Sequence, residues 1–129
     1  MTKNQLSVFL ENRNGMLCEI TGILAQNGIN LIALNIAETM DYGVLRLIVD
    51  DERKAAGVLS EEGFIVTVTP VQVVDVPNEV GGLDGVLKKL SAAGIGIEYM
   101  YSIFGEVNGN AQMVFRLGTD EDIEKIIGK

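Results

Sequence analysis

Residues 10–17 read Leu-Glu-Asn-Arg-Asn-Gly-Met-Leu, and the patterns on either side of this stretch decide the fold. Before it, apolar residues recur at every second position, which is the periodicity of a half-buried strand. After it, they recur at steps of three and four, which is typical of an amphipathic helix. The stretch therefore predicts a strand, a turn around Gly15 and a helix. The alternating positions are Leu6, Val8 and Leu10, and the helical positions are Leu17, Ile20 and Leu24.

The rest of the first half completes a βαββαβ order. The first helix is predicted to end at Asn27-Gly28, because glycine suits a left-handed C-terminal turn. Beyond it, apolar and β-branched runs predict strands, and paired aspartates are good caps for a second helix. The predicted strands cover residues 29–39, 44–49 and 64–69, the hairpin turn covers 41–43, and the second helix runs from the caps Asp50 and Asp51 to Gly63.

The same order restarts in the second half. Residues 77–82, Pro-Asn-Glu-Val-Gly-Gly, repeat the turn, and a helical stripe of apolar residues follows them. Asn108-Gly109 is a strong signal for a two-residue hairpin. The predicted elements are a strand over 71–76, a helix that ends at Gly94, strands over 95–104 and 111–117, and a helix carrying Ile123, Ile126 and Ile127.

An offset of 66 residues aligns the two halves as an internal repeat. We therefore predict two units, residues 1–70 and 71–129. The second unit ends where its own C-terminal strand should begin, so either the sequence is shortened or that sheet has three strands. An unpaired edge there would be a liability. The aligned pairs are Asn12 with Asn78, Gly15 with Gly81, Leu17 with Leu83, Ile20 with Val86, Leu24 with Leu90, Gly28 with Gly94 and Ile29 with Ile95.

The composition argues against several classes of function. The chain has a formal net charge of −8, one cysteine and no histidine. Without histidine, Ser-His-Asp and Cys-His nucleophile systems lack their base, and a zinc site would rest almost entirely on carboxylates. The negative charge repels phosphate backbones and anionic lipid, and no apolar run approaches the roughly 20 residues of a membrane span. We predict a cytoplasmic protein without catalytic residues, metal, cofactor, nucleic-acid partner or membrane contact.

The turn at 10–17, its helix and the following Gly-Ile-Asn at 28–30 resemble the ACT domain. Residues 77–83 are similar to the same motif. The resemblance implies an α+β fold, in which a ferredoxin-like βαββαβ sandwich is repeated twice, with antiparallel sheets side by side and helices on one face. It also implies a regulatory protein without chemistry that binds a free amino acid at the joint between units. A homodimer and a metabolic enzyme as partner are further implications.

The chemistry of the turn suits such a ligand. A helix N-terminus offers unpaired N–H groups and partial positive charge to a carboxylate. Glycine lets the ligand approach the backbone, and asparagine side chains can accept from an ammonium group. The candidate ligand-binding residues are Leu10, Glu11, Asn12, Arg13, Asn14, Gly15, Met16, Leu17 and Asn30, with Asn78, Gly81, Gly82, Leu83, Tyr99 and Tyr101 from the second half.

The sequence departs from the family pattern in ways that make the halves unequal. Asn14 and Val80 stand where proline is common, and Gly96 replaces the counterpart of Asn30. Leu10 stands where some serine-responsive members carry histidine, so serine specificity is not implied. We expect asymmetric sites, with the first turn as the better candidate.

Each candidate also has a structural alternative. The asparagines of the two turns can simply satisfy backbone groups, and the two tyrosines can pack in a core or a dimer interface. The alternative function is therefore a structural dimerisation or docking module with no ligand. RNA binding by an aromatic sheet is opposed by the charge, and an enzyme by the missing histidine and phosphate-binding loops.

Overall fold

A computed structural model of the chain describes residues 1–11, 13–38 and 42–128. The chain divides into two compact units. The first is Asn4–Thr69, and the second is Pro70–Lys129 together with Met1–Lys3. Three residues with a predicted place in the fold lie outside the described residues. They are Asn12 of the glycine turn, Thr39 at a strand end and Asp41 in a hairpin turn.

The first unit has two helices packed against one face of an antiparallel sheet. Within it the strand order is β2-β3-β1-β4. Leu6 pairs with Leu47 and Ile36 with Leu45, so alternate residues of each strand face the helices. The elements are β1 Thr2–Glu11, α1 Met16–Gln26, β2 Leu31–Glu38, β3 Tyr42–Val49, α2 Glu52–Glu61 and β4 Val66–Pro77.

Apolar burial on that face explains the periodicity in the sequence. The predicted stripe residues Ile20 and Leu24 of α1 are buried, as are Ala55 and Leu59 of α2. All four belong to one core cluster with the strand residues that face the helices. Asp51 caps α2 as predicted, because its carboxylate accepts the N–H of Lys54 at 3.1 Å.

The second unit repeats this arrangement. Its strand order is β5-β6-β4, and the start of β1 lies on the other side of β4. Asn108 and Gly109 both have positive φ, which the predicted two-residue hairpin requires. Its core holds Phe115 of β6 with Val86 and Leu90 of α3. The new elements are α3 Gly82–Ala92, β5 Ile97–Val107, β6 Asn110–Leu117 and α4 Ile123–Ile127.

The strand that the repeat lacks is supplied by the beginning of the chain. The carbonyl of Met1 accepts the N–H of Val73 at 2.7 Å, and the amine of Met1 donates to the carbonyl of Val73 at 3.2 Å. In the first unit, the N–H of Phe9 in β1 makes the corresponding bond to the carbonyl of Ile65, the residue before β4, at 3.0 Å. Residues 1–3 therefore occupy the fourth-strand position of the second unit, and the edge there is not open.

The predicted break between two strands near residue 70 is wrong. The sequence indicated separate strands over 64–69 and 71–76, but the structure has the single strand β4. Pro70 lies within it, and its carbonyl accepts a hydrogen bond from Arg116 at 3.0 Å. The predicted fold class is confirmed: both units are ferredoxin-like α+β sandwiches.

Candidate functional site

The first glycine turn opens the N-terminus of α1. Gly15 has φ +84°, a left-handed conformation in which other residues are strained, and it is the N-cap of the helix. Among the described residues, no side chain caps this end. The first helical bond runs from the N–H of Glu19 to the carbonyl of Gly15 at 3.0 Å. The N–H groups of Met16 and Leu17 are therefore two of the donors that a helix leaves without an internal partner.

A cavity of about 350 Å³ lies against this turn. Pockets for small molecules have volumes of roughly 300–1,000 Å³, so this one suits a small metabolite. It takes its polar atoms from the turn and its apolar atoms from the sheet and α1. The lining residues are Leu10, Glu11, Arg13, Asn14, Gly15, Met16, Leu17, Ile36 and Gly43.

The floor of the cavity is formed by the three strands of the sheet next to the turn. Leu10 of β1 lies directly opposite Gly43 of β3, and Ile36 of β2 pairs with the next helix-facing residue, Leu45. Leu10 and Gly43 are buried, whereas Ile36 is 36 % exposed. Because glycine carries no side chain, the position opposite Leu10 adds only backbone to the floor.

Ile36 and Gly43 were not among the residues proposed from the sequence. The sequence placed Gly43 in the hairpin turn, whereas it is a strand residue paired with Leu10. The signal that could have found both residues is the strand register. Pairing β1 with β3 places Gly43 opposite Leu10. The hairpin between β2 and β3 then places Ile36 beside Leu45.

Arg13 supplies the positive charge at the rim. Its Nε lies 3.5 Å from a carboxylate oxygen of Glu11, and its Nη2 lies 3.9 Å from one of Glu19. All three side chains are substantially exposed, so these ion pairs contribute little stability. The guanidinium can therefore exchange one of these partners for the carboxylate of a ligand, which it can bind with two parallel hydrogen bonds.

Asn30 lies at the far end of its strand from the turn. It immediately precedes β2, while the end of β2 at Glu38 pairs with Gly43 of the cavity floor. The backbone N–H of Asn30 donates to the carboxylate of Asp50 at 3.0 Å, and its carbonyl accepts the N–H of Asp50 at 3.1 Å. Asn30 is not among the residues that line the cavity.

The second glycine turn has the same backbone with different surroundings. Gly81 has φ +80° and is the N-cap of α3. The side-chain amide of Asn78 donates to the carboxylate of Glu106 in β5. Glu79 stands two residues before Gly81, at the place of Arg13 in the first turn. The second turn thus has carboxylates where the first has a guanidinium, which disfavours an anionic ligand group.

The remaining second-half candidates have structural contacts. A Cβ on Gly82 would lie 2.0 Å from the carbonyl oxygen of Pro77, so the close approach of the backbone requires glycine. Leu83 is half-buried against the core of the second unit. The rings of Tyr99 and Tyr101 are stacked with centroids 6.5 Å apart, and Tyr101 is 8 % exposed.

Two searches of the described ranges gave no site of another kind. Within residues 1–11, 13–38 and 42–128, no group of three or more histidine, cysteine, aspartate or glutamate residues could hold a metal ion. In the same ranges, none of the helices has the length and apolar character needed to cross a membrane.

Comparison with known proteins identifies the fold and the family. A protein from Bacteroides thetaiotaomicron is 44 % identical, with a TM-score of 0.90 over 99 % of this chain and 88 % of that one. The ligand-free regulatory subunit of aspartate kinase from Thermus thermophilus is 11 % identical, with a TM-score of 0.61 over 89 % of this chain and 87 % of that one. The corresponding subunit from Thermus flavus is 11 % identical, with a TM-score of 0.57 over 89 % and 84 %.

No curated protein matches the sequence significantly. The distant structural likenesses concern the fold alone. The model of the family described as an ACT domain pair matches residues 1–129, which is the full length of the sequence. The turn, helix and repeat that resembled the ACT domain are therefore a true family signature, and the chain belongs to the family of ACT domain pairs.

Proposed function

We propose that this ACT domain pair is a non-catalytic regulatory protein that binds a free amino acid at the first glycine turn. The observation that carries the proposal is the cavity of about 350 Å³ at the N-terminus of α1, which no described side chain caps. Such an end combines N–H donors with the positive end of the helix dipole, so it favours a carboxylate.

The turn also offers groups for the rest of a zwitterion. The guanidinium of Arg13 adds a second donor for the carboxylate of the ligand. The carboxylate of Glu11 and the side-chain carbonyl of Asn14 are the acceptors that an ammonium group needs, and both residues line the cavity. A free amino acid uses both sets of groups at once, which a simple anion does not.

The reversed charge in the second half supports the first turn as the site. Glu79 stands at the position that corresponds to Arg13, and the carboxylate of Glu106 accepts a hydrogen bond from the side-chain amide of Asn78. A ligand carboxylate would meet these negative groups at the second turn. We therefore assign the ligand to the first turn and a structural role to Asn78, Gly81, Gly82 and Leu83.

We further propose that ligand binding changes the association of the protein, either with a second copy or with a metabolic enzyme. Regulatory subunits of aspartate kinase share its fold, which supports an enzyme partner. On composition, we place the protein in the cytoplasm. Neither a metal nor a cofactor is needed for this function.

Thermal unfolding in the presence of each of the twenty amino acids tests the proposal. A ligand present at 100 times its Kd stabilises the folded state by about 2.7 kcal/mol. We expect one amino acid or a chemically related group to raise Tm at millimolar concentration. If none of the twenty raises Tm, the protein does not bind free amino acids and the proposal fails.

A docking module without ligand is the second candidate, and an exposed apolar patch supports it. Phe9, Tyr42 and Ile65 are each 46–65 % exposed in the first unit. The rings of Phe9 and Tyr42 are 6.2 Å apart, and these residues line a second cavity of about 340 Å³. Exposed apolar patches often mark interaction sites.

Light scattering on the Phe9→Ser variant tests this second function. A fall in the molar mass of the particle in solution, with unchanged amino-acid binding, would assign the patch to association alone.

A further inference from the structure

We infer that the ligand of the first turn is an amino acid with a branched aliphatic side chain, such as leucine, isoleucine or valine. The inference rests on the proposed function, because it concerns the same cavity. It comes from the separation of polar and apolar groups within that cavity.

The polar side chains of the lining lie at the end of β1 and in the turn. They are Glu11, Arg13 and Asn14, and with the N–H groups at the start of α1 they match the donors and acceptors that the carboxylate and ammonium of one amino acid need. The described lining thus leaves no polar side chain for a third ligand group. A hydroxyl, amide or second carboxylate that packs against the aliphatic part of the lining would be desolvated there without a hydrogen bond from a described side chain.

The other walls are aliphatic. Leu10 and Met16 are 8 % and 6 % exposed, Leu17 is partly buried beside them, and Ile36 is exposed. No aromatic ring lines this cavity among the described residues. In an apolar site of this kind, each additional methylene group of a ligand strengthens its binding. Known enzymes discriminate by tenfold or more on the basis of one methylene group. The cavity therefore favours branched aliphatic side chains over alanine as well as over polar ones.

The second half provides an internal comparison. In register, Ala111 lies opposite Val76 as Gly43 lies opposite Leu10, and Ser102 pairs with Met113 as Ile36 pairs with Leu45. The second turn therefore has a methyl group in place of Gly43 and a hydroxyl in place of Ile36. The open, aliphatic floor is particular to the first turn.

Isothermal titration of the full chain with six amino acids tests the inference. The probes are leucine, isoleucine, valine, alanine, serine and aspartate. We expect at least one branched amino acid to bind about tenfold or more tightly than alanine and serine. If serine or aspartate binds more tightly than all three branched ones, the inference is overturned and the proposed function stands. If none of the six binds although another amino acid raises Tm, the inference is also overturned. If none of the twenty raises Tm in thermal unfolding, the proposed function itself fails.

Two variants connect the preference to the cavity floor. Ile36→Ala removes the aliphatic wall on β2, and Gly43→Ala introduces the methyl group of the second half. Each should weaken binding of the preferred branched amino acid by about tenfold and leave alanine binding within about twofold. Val68→Ala is the control, because this exposed aliphatic residue lines neither the cavity nor the apolar patch. If Ile36→Ala and Val68→Ala have equal effects, the floor does not select the ligand.

Discussion

The side-chain amide of Asn78 donates a hydrogen bond to the carboxylate of Glu106, and this contact places an acidic group at the second glycine turn. The first turn has Arg13 at the position that Glu79 takes in the second. Two turns with nearly identical backbone, at φ +84° and +80°, thus differ in charge as well as in their floors.

The first prediction concerns the glycine of each turn. A left-handed conformation costs other residues about 1–2 kcal/mol, so Gly15→Val and Gly81→Val should each lower the free energy of unfolding by at least that amount. Only Gly15→Val should abolish amino-acid binding, because its side chain lies at the cavity. Urea denaturation and calorimetric titration measure the two effects. Equal loss of binding in both variants would contradict the assignment to the first turn.

The second prediction concerns the charge two residues earlier. Arg13→Glu gives the first turn the charge of the second, and it should weaken amino-acid binding about fivefold, since an exposed ion pair contributes up to about 1 kcal/mol. The matched variant Glu79→Arg should leave the affinity unchanged. Titrations at low and high salt should show that the wild-type advantage shrinks as salt rises. An Arg13→Glu protein with full affinity would remove Arg13 from the site.

The third prediction uses two glycines of the same helix. Gly82→Ala should destabilise the protein by about 1–3 kcal/mol, because its Cβ would lie 2.0 Å from the carbonyl oxygen of Pro77. Gly85→Ala should stabilise it by about 0.5–1 kcal/mol, because a Cβ there meets no atom within 4 Å and alanine favours a helix. Urea denaturation gives both values. If Gly85→Ala lowered the free energy of unfolding, the surroundings of Gly85 would lack the room for a methyl group.

The fourth prediction concerns residues 1–3. Deleting them removes the two backbone hydrogen bonds between Met1 and Val73 and should cost about 1–3 kcal/mol. Glu124→Gln is the control, because it removes only the exposed ion pair with the amine of Met1 and should cost less than about 1 kcal/mol. Light scattering should also show more association of the deleted form, because an edge strand becomes free. Unchanged stability after the deletion would show that residues 1–3 do not complete the unit.

Local patterns in the sequence predicted most of the fold. The stripes of α1 and α3, the Asp51 cap and the Asn108-Gly109 hairpin depend on neighbouring residues, and all of them are present. The single strand β4 was not predicted, because proline usually interrupts a strand pattern. The fourth strand of the second unit was also missed, because its residues lie 72 positions away from Val73 in the sequence.

The candidate site was predictable only where it is continuous in the chain. Residues 10–17 form one stretch, and the described ones among them that were proposed as ligand-binding line the cavity. Gly43 and Ile36 come from strands that join the site through pairing, which the sequence does not specify. Asn30 was proposed on the family motif alone, and it precedes β2, whose eight residues separate the two ends of the strand by about 25 Å.

The supply of a strand by residues 1–3 has a consequence during synthesis. These residues are synthesised before their partner Val73, which follows 72 positions later. A fragment starting at Pro70 would lack this border strand, so we expect it to be less stable than the second unit in the full chain. Contacts between such distant positions also slow folding. Any attempt to express the halves separately, or to fuse a cargo directly before Met1, must take account of this returning segment.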